Sequence, residues 1–160
     1  MICTAGGPAK TALCLENGAG EAIDYLDADF AASVMDLTDG HGVDVVVDPV
    51  GGDVLARSLG CLAFEGRLVA VGAAGGSPPP VDPMALVAAN ASLVGVSWGS
   101  AYPWRRPGAV RDAYEELFAL LASGAVRPLV SRVVDLAETP AALTDLATRR
   151  TTGKIMVRTG

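Results

Sequence analysis

The chain has 160 residues, 51% of them hydrophobic and 19% charged, with a formal net charge of −6. This length suits one domain with a core of its own, and the acidic balance disfavours proteins that bind nucleic-acid phosphates or anionic membranes. The sequence shows neither a signal-peptide pattern nor the run of about 20 apolar residues that a transmembrane helix needs. The three cysteines Cys3, Cys14 and Cys61 form no disulfide framework or paired metal motif, so we expect a cytoplasmic protein.

Short apolar runs alternate with helical patterns along the chain. Val43 to Asp48 (VDVVVD) is typical of a buried parallel strand, and the prolines at 78–80 predict a loop over residues 72–83. The pattern predicts strands at 2–4, 22–25, 43–48, 66–71, 92–96, 129–134 and 154–158, and helices at 8–16, 30–38, 53–62, 83–89, 109–123 and 139–149. Residues 98–107 are predicted to be irregular. This alternation favours an α/β fold with a mostly parallel sheet.

The turn after the first predicted strand, Thr4 to Lys10 (TAGGPAK), points most directly to a ligand. It offers a hydroxyl, backbone N–H groups at a helix start and a lysine one turn into the helix, which suit a phosphate. The turn itself carries no carboxylate, a group that would repel the 2′-phosphate of NADP at this place in a nucleotide-binding sheet. A plain strand-to-helix turn with a solvated lysine is the alternative on composition alone.

The chain resembles the medium-chain dehydrogenase/reductase superfamily, and within it the zinc-independent NADPH:quinone oxidoreductases. The resemblance runs from residue 1 to residue 160 and rests on stretches such as TAGGPAK, GAGEAIDY, VDVVVDPVGG, NASLVGVSWG and TTGKIMV. It implies an NADPH-dependent enzyme that reduces a small molecule, a quinone or α,β-unsaturated carbonyl, by hydride transfer from the cofactor. The enoyl reductases of the same superfamily are an alternative.

The resemblance also implies where the cofactor would bind. Gly6, Lys10 and Tyr25 would contact the 2′-phosphate. The turn after the third predicted strand would line the ribose and nicotinamide, and a C-terminal segment would close over the cofactor. The implied cofactor-binding residues are Thr4, Gly6, Lys10, Tyr25, Val50, Gly72, Arg150, Gly153 and Lys154. In the alternative interpretation Gly72 only marks a turn, and Lys154 is only a solvated residue at the start of a strand. No catalytic residue and no metal ligand is predicted.

No stretch of the sequence matches the family's first strand or its glycine-rich phosphate loop, because GAAGGS at Gly72 runs into prolines rather than a helix. We therefore expect an incomplete Rossmann-type doubly wound parallel sheet. In the usual strand order the missing strand lies mid-sheet, so residues 2–4 and 43–48 would expose unpaired edges or pair with each other. Residues 1–126 are predicted to form a partial NADP-binding domain and 127–160 a return segment. The hypothesis is an N-terminally truncated family member, and the alternative is a non-catalytic remnant that binds NADPH weakly or only self-associates.

Three further features have simpler interpretations. His41 is expected in a surface turn, and the aspartates at 27, 29, 36 and 39 on a solvated helix face. Trp98, Tyr102 and Trp104 would line an aromatic substrate pocket or a dimer contact. The resemblance suggests a homodimer through the SLVGV edge strand.

Overall fold

The structure is a computed structural model that describes residues 1–159. It consists of two compact units, Met1–Arg105 and Arg106–Gly160. The predicted boundary at 126/127 falls inside the second unit, and the assignment of a cofactor domain and a return segment stays a prediction. No helix within residues 1–159 has the length and apolar character needed to cross a membrane.

The first unit alternates strand and helix from end to end. Its elements are β1 Ile2–Ala5, α1 Pro8–Glu16, β2 Glu21–Asp24, α2 Phe30–Leu37, β3 Val43–Asp48, α3 Gly52–Leu59, β4 Leu62–Ala70, α4 Pro83–Ala89, β5 Ser92–Gly95 and α5 Ala101–Arg105. Local chemistry starts the helices: Pro8 and Pro83 lie in first turns, where a missing N–H costs nothing. Asp82 accepts a hydrogen bond from the Met84 N–H at 2.9 Å.

The strands of the first unit form two separate parallel sheets, β1–β2 and β3–β4–β5. β1 and β3 are not hydrogen-bonded to each other. Of the two predicted arrangements, the structure therefore has the one in which each of these strands keeps an unpaired edge. A shared core nevertheless joins the sheets: Phe30 and Val34 of α2 are buried with Ile23 of β2 and with Cys61, and Ile2 and Val43 pack against them.

Two parts of the first unit differ from the prediction. The helix predicted to end at residue 62 ends at Leu59, and β4 begins at Leu62 rather than at Gly66. The strand passes through the FEG segment because Glu65 takes a φ of 62° and the pairing with β3 shifts register there, as at a β-bulge. Within 98–107 the structure has a short helix, Ala101–Arg105, where the prediction was irregular.

The second unit consists of α6 Pro107–Ala122, β6 Val130–Asp135, a 3₁₀ turn Leu136–Glu138, α7 Thr139–Ala147 and β7 Lys154–Arg158. β6 and β7 pair in parallel, which is possible because α7 connects them. Val134 and Ala142 are its buried apolar residues.

Candidate functional site

The turn after β1 brings together residues that are far apart in sequence. A Cβ atom on Gly6 would lie 2.8 Å from the Tyr25 hydroxyl oxygen and 3.0 Å from the ring carbon Cζ. The Tyr25 side chain therefore rests directly on the Gly6 backbone, and only glycine leaves room for it. Lys10 lies in the first turn of the helix that follows. Gly6 and Tyr25 thus meet in one corner of the first unit, and Lys10 lies in the adjoining helix turn; their role toward a cofactor stays a prediction.

A carboxylate reaches the same turn from the neighbouring strand. Asp24 Oδ1 accepts hydrogen bonds from the Gly7 N–H at 2.9 Å and the Leu26 N–H at 3.0 Å. The sequence predicted a turn without carboxylates and with free N–H groups. No residue of the turn itself is a carboxylate, but Asp24 on the neighbouring strand accepts a hydrogen bond from the Gly7 N–H. Pro8 has no N–H, and the N–H groups of Lys10 and Thr11 donate to Gly7 O. The N–H groups of Gly7, Lys10 and Thr11 are therefore already engaged within the turn.

The turns that follow β3 and β4 interlock at the carboxyl end of the sheet. Gly75 N–H donates to Val50 O at 2.6 Å, and Gly52 N–H donates to Gly76 O at 3.0 Å. A Cβ on Gly72 would lie 2.8 Å from Pro49 O, so these backbones approach as closely as glycine allows. Val50 and Gly72 are thus parts of one rigid double turn. In open parallel sheets this edge is where ligands bind.

Asp48, which is not among the predicted cofactor-binding residues, holds the first of these turns. The residue is 2% exposed, and its Oδ1 atom accepts hydrogen bonds from Val50 N–H at 2.7 Å and Gly51 N–H at 3.0 Å. Its Oδ2 atom is buried and has no donor among the described residues. The signal that could have identified it is a carboxylate at the carboxyl end of a largely apolar strand, directly before a turn that contains two glycines.

The three remaining predicted residues lie in the second unit. The Arg150 guanidinium pairs with Asp145 at 3.1 Å and also donates to the Thr148 hydroxyl at 3.1 Å. Gly153 has a φ of 64°, and a side chain there would collide with Leu129. Lys154 begins β7, and its N–H donates to Leu129 O at 2.7 Å. These contacts explain Gly153 structurally, while a cofactor role for all three stays a prediction.

Among the acidic residues, Asp29 is not merely solvated. It caps α2 by accepting from Ala31 N–H at 3.1 Å, and it pairs with Arg57 at 2.9 Å. The hydrogen bond from Arg57 is the largest of the effects that lower the pKa of Asp29. Arg57 also lies over the Phe30 ring, 4.4 Å from its centroid, and so ties α3 to α2.

The aromatic residues after β5 do not form one pocket wall. The Trp98 and Tyr102 rings lie 4.9 Å apart, whereas Trp104 is 87% exposed. His41 is exposed, with Nε2 3.6 Å from Asp44 Oδ1, in agreement with its predicted place in a surface turn.

Two cysteines of the first unit have thiols whose pKa is raised. Burial, followed by the neighbouring Cys3 thiol, raises the pKa of Cys14, and burial raises the pKa of Cys61. Because the thiolate is the reactive form, these shifts work against nucleophilic chemistry at either residue.

Comparison with known proteins assigns the fold to a family. The sequence profile of the zinc-binding dehydrogenases matches residues 17–157. The chain belongs to this family. It is 35% identical over 157 residues to a quinone oxidoreductase of Pseudomonas aeruginosa, and the match covers 98% of this chain and 48% of that protein. It is 32% identical to the bovine quinone oxidoreductase-like protein 2, with 98% and 45% covered.

A solved structure gives the same assignment. The Escherichia coli quinone oxidoreductase, crystallised with NADPH, matches with a TM-score of 0.87 and 30% identity over 99% of this chain and 49% of that one. The expected quinone oxidoreductase type and incomplete Rossmann-type α/β fold are therefore confirmed. The chain spans about half the length of the relatives it matches.

The family's name implies zinc, and the residues present do not fit that ion. Zinc sites use three or four Cys, His or carboxylate ligands around one point. Within residues 1–159 no group of three or more such side chains could hold a metal ion. No step of the proposed chemistry is therefore assigned to zinc.

Proposed function

We propose that this chain forms the dinucleotide-binding part of an NADPH-dependent reductase that acts on a quinone or an α,β-unsaturated carbonyl compound. The observation that carries the proposal is the corner where Gly6 and Tyr25 lie in contact, with Lys10 in the adjoining first turn of α1. Relatives give it further support: one matching protein is named quinone oxidoreductase, another quinone oxidoreductase-like protein 2, and one from Burkholderia is named 2-haloacrylate reductase, at 29% identity. A haloacrylate has the activated double bond that such a reductase would need.

NADPH, when bound, would supply the hydride, and the chain's residues would bind and orient it. Gly6 keeps the approach to the turn free of a side chain, the phenol of Tyr25 forms one wall, and Lys10 provides a positive charge for the 2′-phosphate. Thr4 would add a hydroxyl donor. The carboxylate of Asp24 accepts hydrogen bonds from the N–H groups of Gly7 and Leu26, and this fixes the turn.

The interlocked turns would receive the other half of the cofactor. Val50 and Gly72 follow adjacent parallel strands, and their turns form a rim in which the main chains of Pro49 and Gly72 approach closely. Such a rim lets a flat nicotinamide ring or a ribose approach the main chain. The cofactor roles that the resemblance implies for Arg150, Gly153 and Lys154 are kept as part of this proposal.

Binding of NADPH without turnover is the alternative function. Both candidates require NADPH binding; they differ in whether a quinone is reduced. In a turnover assay that follows NADPH oxidation, an enoyl thioester offered in place of the quinone tests the enoyl reductase alternative.

The test is calorimetric titration of the purified chain with NADPH and, separately, NADH. We expect tighter binding of NADPH, and at least a tenfold loss of NADPH affinity for Lys10→Gln with little change for NADH. Gly6→Ala should also weaken binding, because its Cβ displaces Tyr25, whereas Gly99→Ala is the matched control, with no atom within 4 Å of the added Cβ. Equal affinities for the two cofactors, or a Lys10→Gln variant that behaves like the parent, would reject the proposed site.

We also propose that the chain forms a homodimer through the outer edge of β5 and works in the cytoplasm. β5 ends the three-stranded sheet, and Leu93 and Val94 are each 38% exposed. Light scattering of the parent and of Val94→Lys tests this: a dimer that the lysine dissociates supports the edge contact, and a monomeric parent rejects it.

A further inference from the structure

Two of the three cysteines lie side by side between the first strand and the first helix. Cys3 belongs to β1 and Cys14 to α1. The Cys3 thiol lies within hydrogen-bonding reach of the Cys14 thiol, and both residues are only half-buried. Cys61, by contrast, is buried, and its thiol donates to Ser58 O at 3.4 Å. The neighbouring thiols have no part in the chemistry proposed above.

The path of the backbone explains why Cys3 and Cys14 meet. Gly20, which follows α1, donates its N–H to Met1 O at 2.9 Å, so α1 runs back alongside β1. Cys3 lies two residues before the end of β1, a distance of about 7 Å along the strand. Cys14 lies six residues after the start of α1, a distance of about 9 Å along the helix. The two residues therefore lie at a similar height.

Both side chains point into the space between the strand and the helix. Successive strand residues face opposite sides of a sheet. Ile2 packs against the buried core around α2, so Cys3 faces the other side, where it meets α1. On α1, Thr11 and Cys14 lie three residues apart and are half-buried, whereas Leu15 is 49% exposed. Cys14 thus lies on the inner face of the helix.

We propose that Cys3 and Cys14 form a site of reversible covalent modification, a dithiol that a small disulfide such as glutathione disulfide oxidises to an intramolecular disulfide. The two thiols already lie in contact, so the S–S bond forms without a rearrangement of β1 against α1. Disulfides in reducing compartments are usually transient, which agrees with a bond that free thiols reverse. The inference rests on the two thiols and not on the cofactor proposal, so either can fail without the other.

The oxidation takes place in two exchange steps. Burial and the Cys3 thiol raise the pKa of Cys14, so Cys3 attacks first. The Cys3 sulfur attacks glutathione disulfide, whose S–S bond breaks; one glutathione leaves, and Cys3 is left as a mixed disulfide. Cys14 then attacks the Cys3 sulfur, and the second glutathione leaves. Two electrons pass from the dithiol to glutathione disulfide, and the two thiol protons pass through solvent to the two glutathione thiolates.

The contact between the two sulfurs favours the second step. A reacting group held beside its target has a high effective concentration, which compensates for the low thiolate fraction of Cys14. Glutathione on Cys3 is therefore displaced rather than retained. Cys61 has no thiol beside it that could do the same, and its burial slows the first step.

The probe is glutathione disulfide, and the assay identifies which cysteines become linked. The purified chain is equilibrated at neutral pH with mixtures of reduced and oxidised glutathione, alkylated with N-ethylmaleimide and digested with trypsin without reduction. Trypsin separates the three cysteines, because it cuts after Lys10 and after Arg57. Mass spectrometry should show peptide 1–10 linked to peptide 11–57, while peptide 58–67 carries an alkylated thiol.

A matched variant removes the contact and keeps the thiols. Cys14→Ser combined with Leu15→Cys moves the second thiol by one residue to the outer face of α1, with almost the same loop length. The midpoint of oxidation is expressed as the squared concentration of reduced glutathione divided by that of glutathione disulfide. We expect this midpoint to be at least about tenfold higher for the parent than for the variant, on which glutathione adducts should accumulate. Circular dichroism checks that the variant folds.

The parent chain in urea gives a second comparison that needs no substitution. Unfolding separates α1 from β1, so the midpoint should fall by at least about tenfold. Equal midpoints for the folded and unfolded parent, or for the parent and the variant, overturn the proposal. So does a link from Cys61 to either partner, a disulfide between two copies of the chain, or glutathione adducts on the parent without the linked peptide.

Discussion

Replacing Asp48 with alanine should destabilise the first unit by about 2–3 kcal/mol. The two hydrogen bonds that its carboxylate accepts, from Val50 and Gly51 at 2.7 and 3.0 Å, are lost. Hydrogen bonds to charged groups contribute about 1.5–3 kcal/mol each, so the gross loss is about 3–6 kcal/mol. The variant also removes the buried oxygen without a donor, which costs the parent about 1–3 kcal/mol. The lost bonds outweigh this relief.

The assay is urea unfolding at pH 7 followed by circular dichroism and by tryptophan fluorescence, since Trp98 and Trp104 both lie in the first unit. Asp48→Asn keeps an acceptor oxygen without the charge and should lose about half as much. Asp44→Ala is the control, on the same strand with its side chain 85% exposed, and should change stability by less than about 0.5 kcal/mol. An Asp48→Ala variant within about 0.5 kcal/mol of the parent would refute this account of the turn.

Three further predictions concern other parts of the chain. Gly153→Ala should cost more than about 1 kcal/mol beyond Gly124→Ala in urea unfolding, because both have positive φ but only Gly153 would collide with Leu129; equal costs would contradict this. Arg57→Gln should destabilise the chain at pH 7. Because Arg57 lowers the pKa of Asp29, that part of the difference should disappear as the pH falls through the folded-state pKa, and a pH-independent difference would argue against it. Native Cys61, 2% exposed and with a raised pKa, should not react with a disulfide reagent at pH 7.4 until urea is added.

Local signals were sufficient for most of the secondary structure. Prolines in first turns and the β-branched run VDVVVD each act within a few residues. The helix that begins at Pro8 and the strand Val43–Asp48 therefore lie close to where the sequence predicted them. The predicted start of β4 was wrong because Glu65, a residue with positive φ, forms a bulge, and the sequence pattern at this position is typical of a turn. The short helix at Ala101–Arg105 lacked the length from which a periodicity can be recognised.

The sequence by itself determined the α/β alternation, the family and the residues of the turn after β1, because these depend on residue order alone. The tertiary structure decided which groups meet there. It brought Asp24 to Gly7 N–H, laid Tyr25 on Gly6, and buried Asp48 under an interlocked double turn. It also held β1 and β3 apart around a shared core, so that each of these strands has one edge without a sheet partner. Contacts across a sheet join residues distant in the chain, and their geometry is fixed only when the strands are in place.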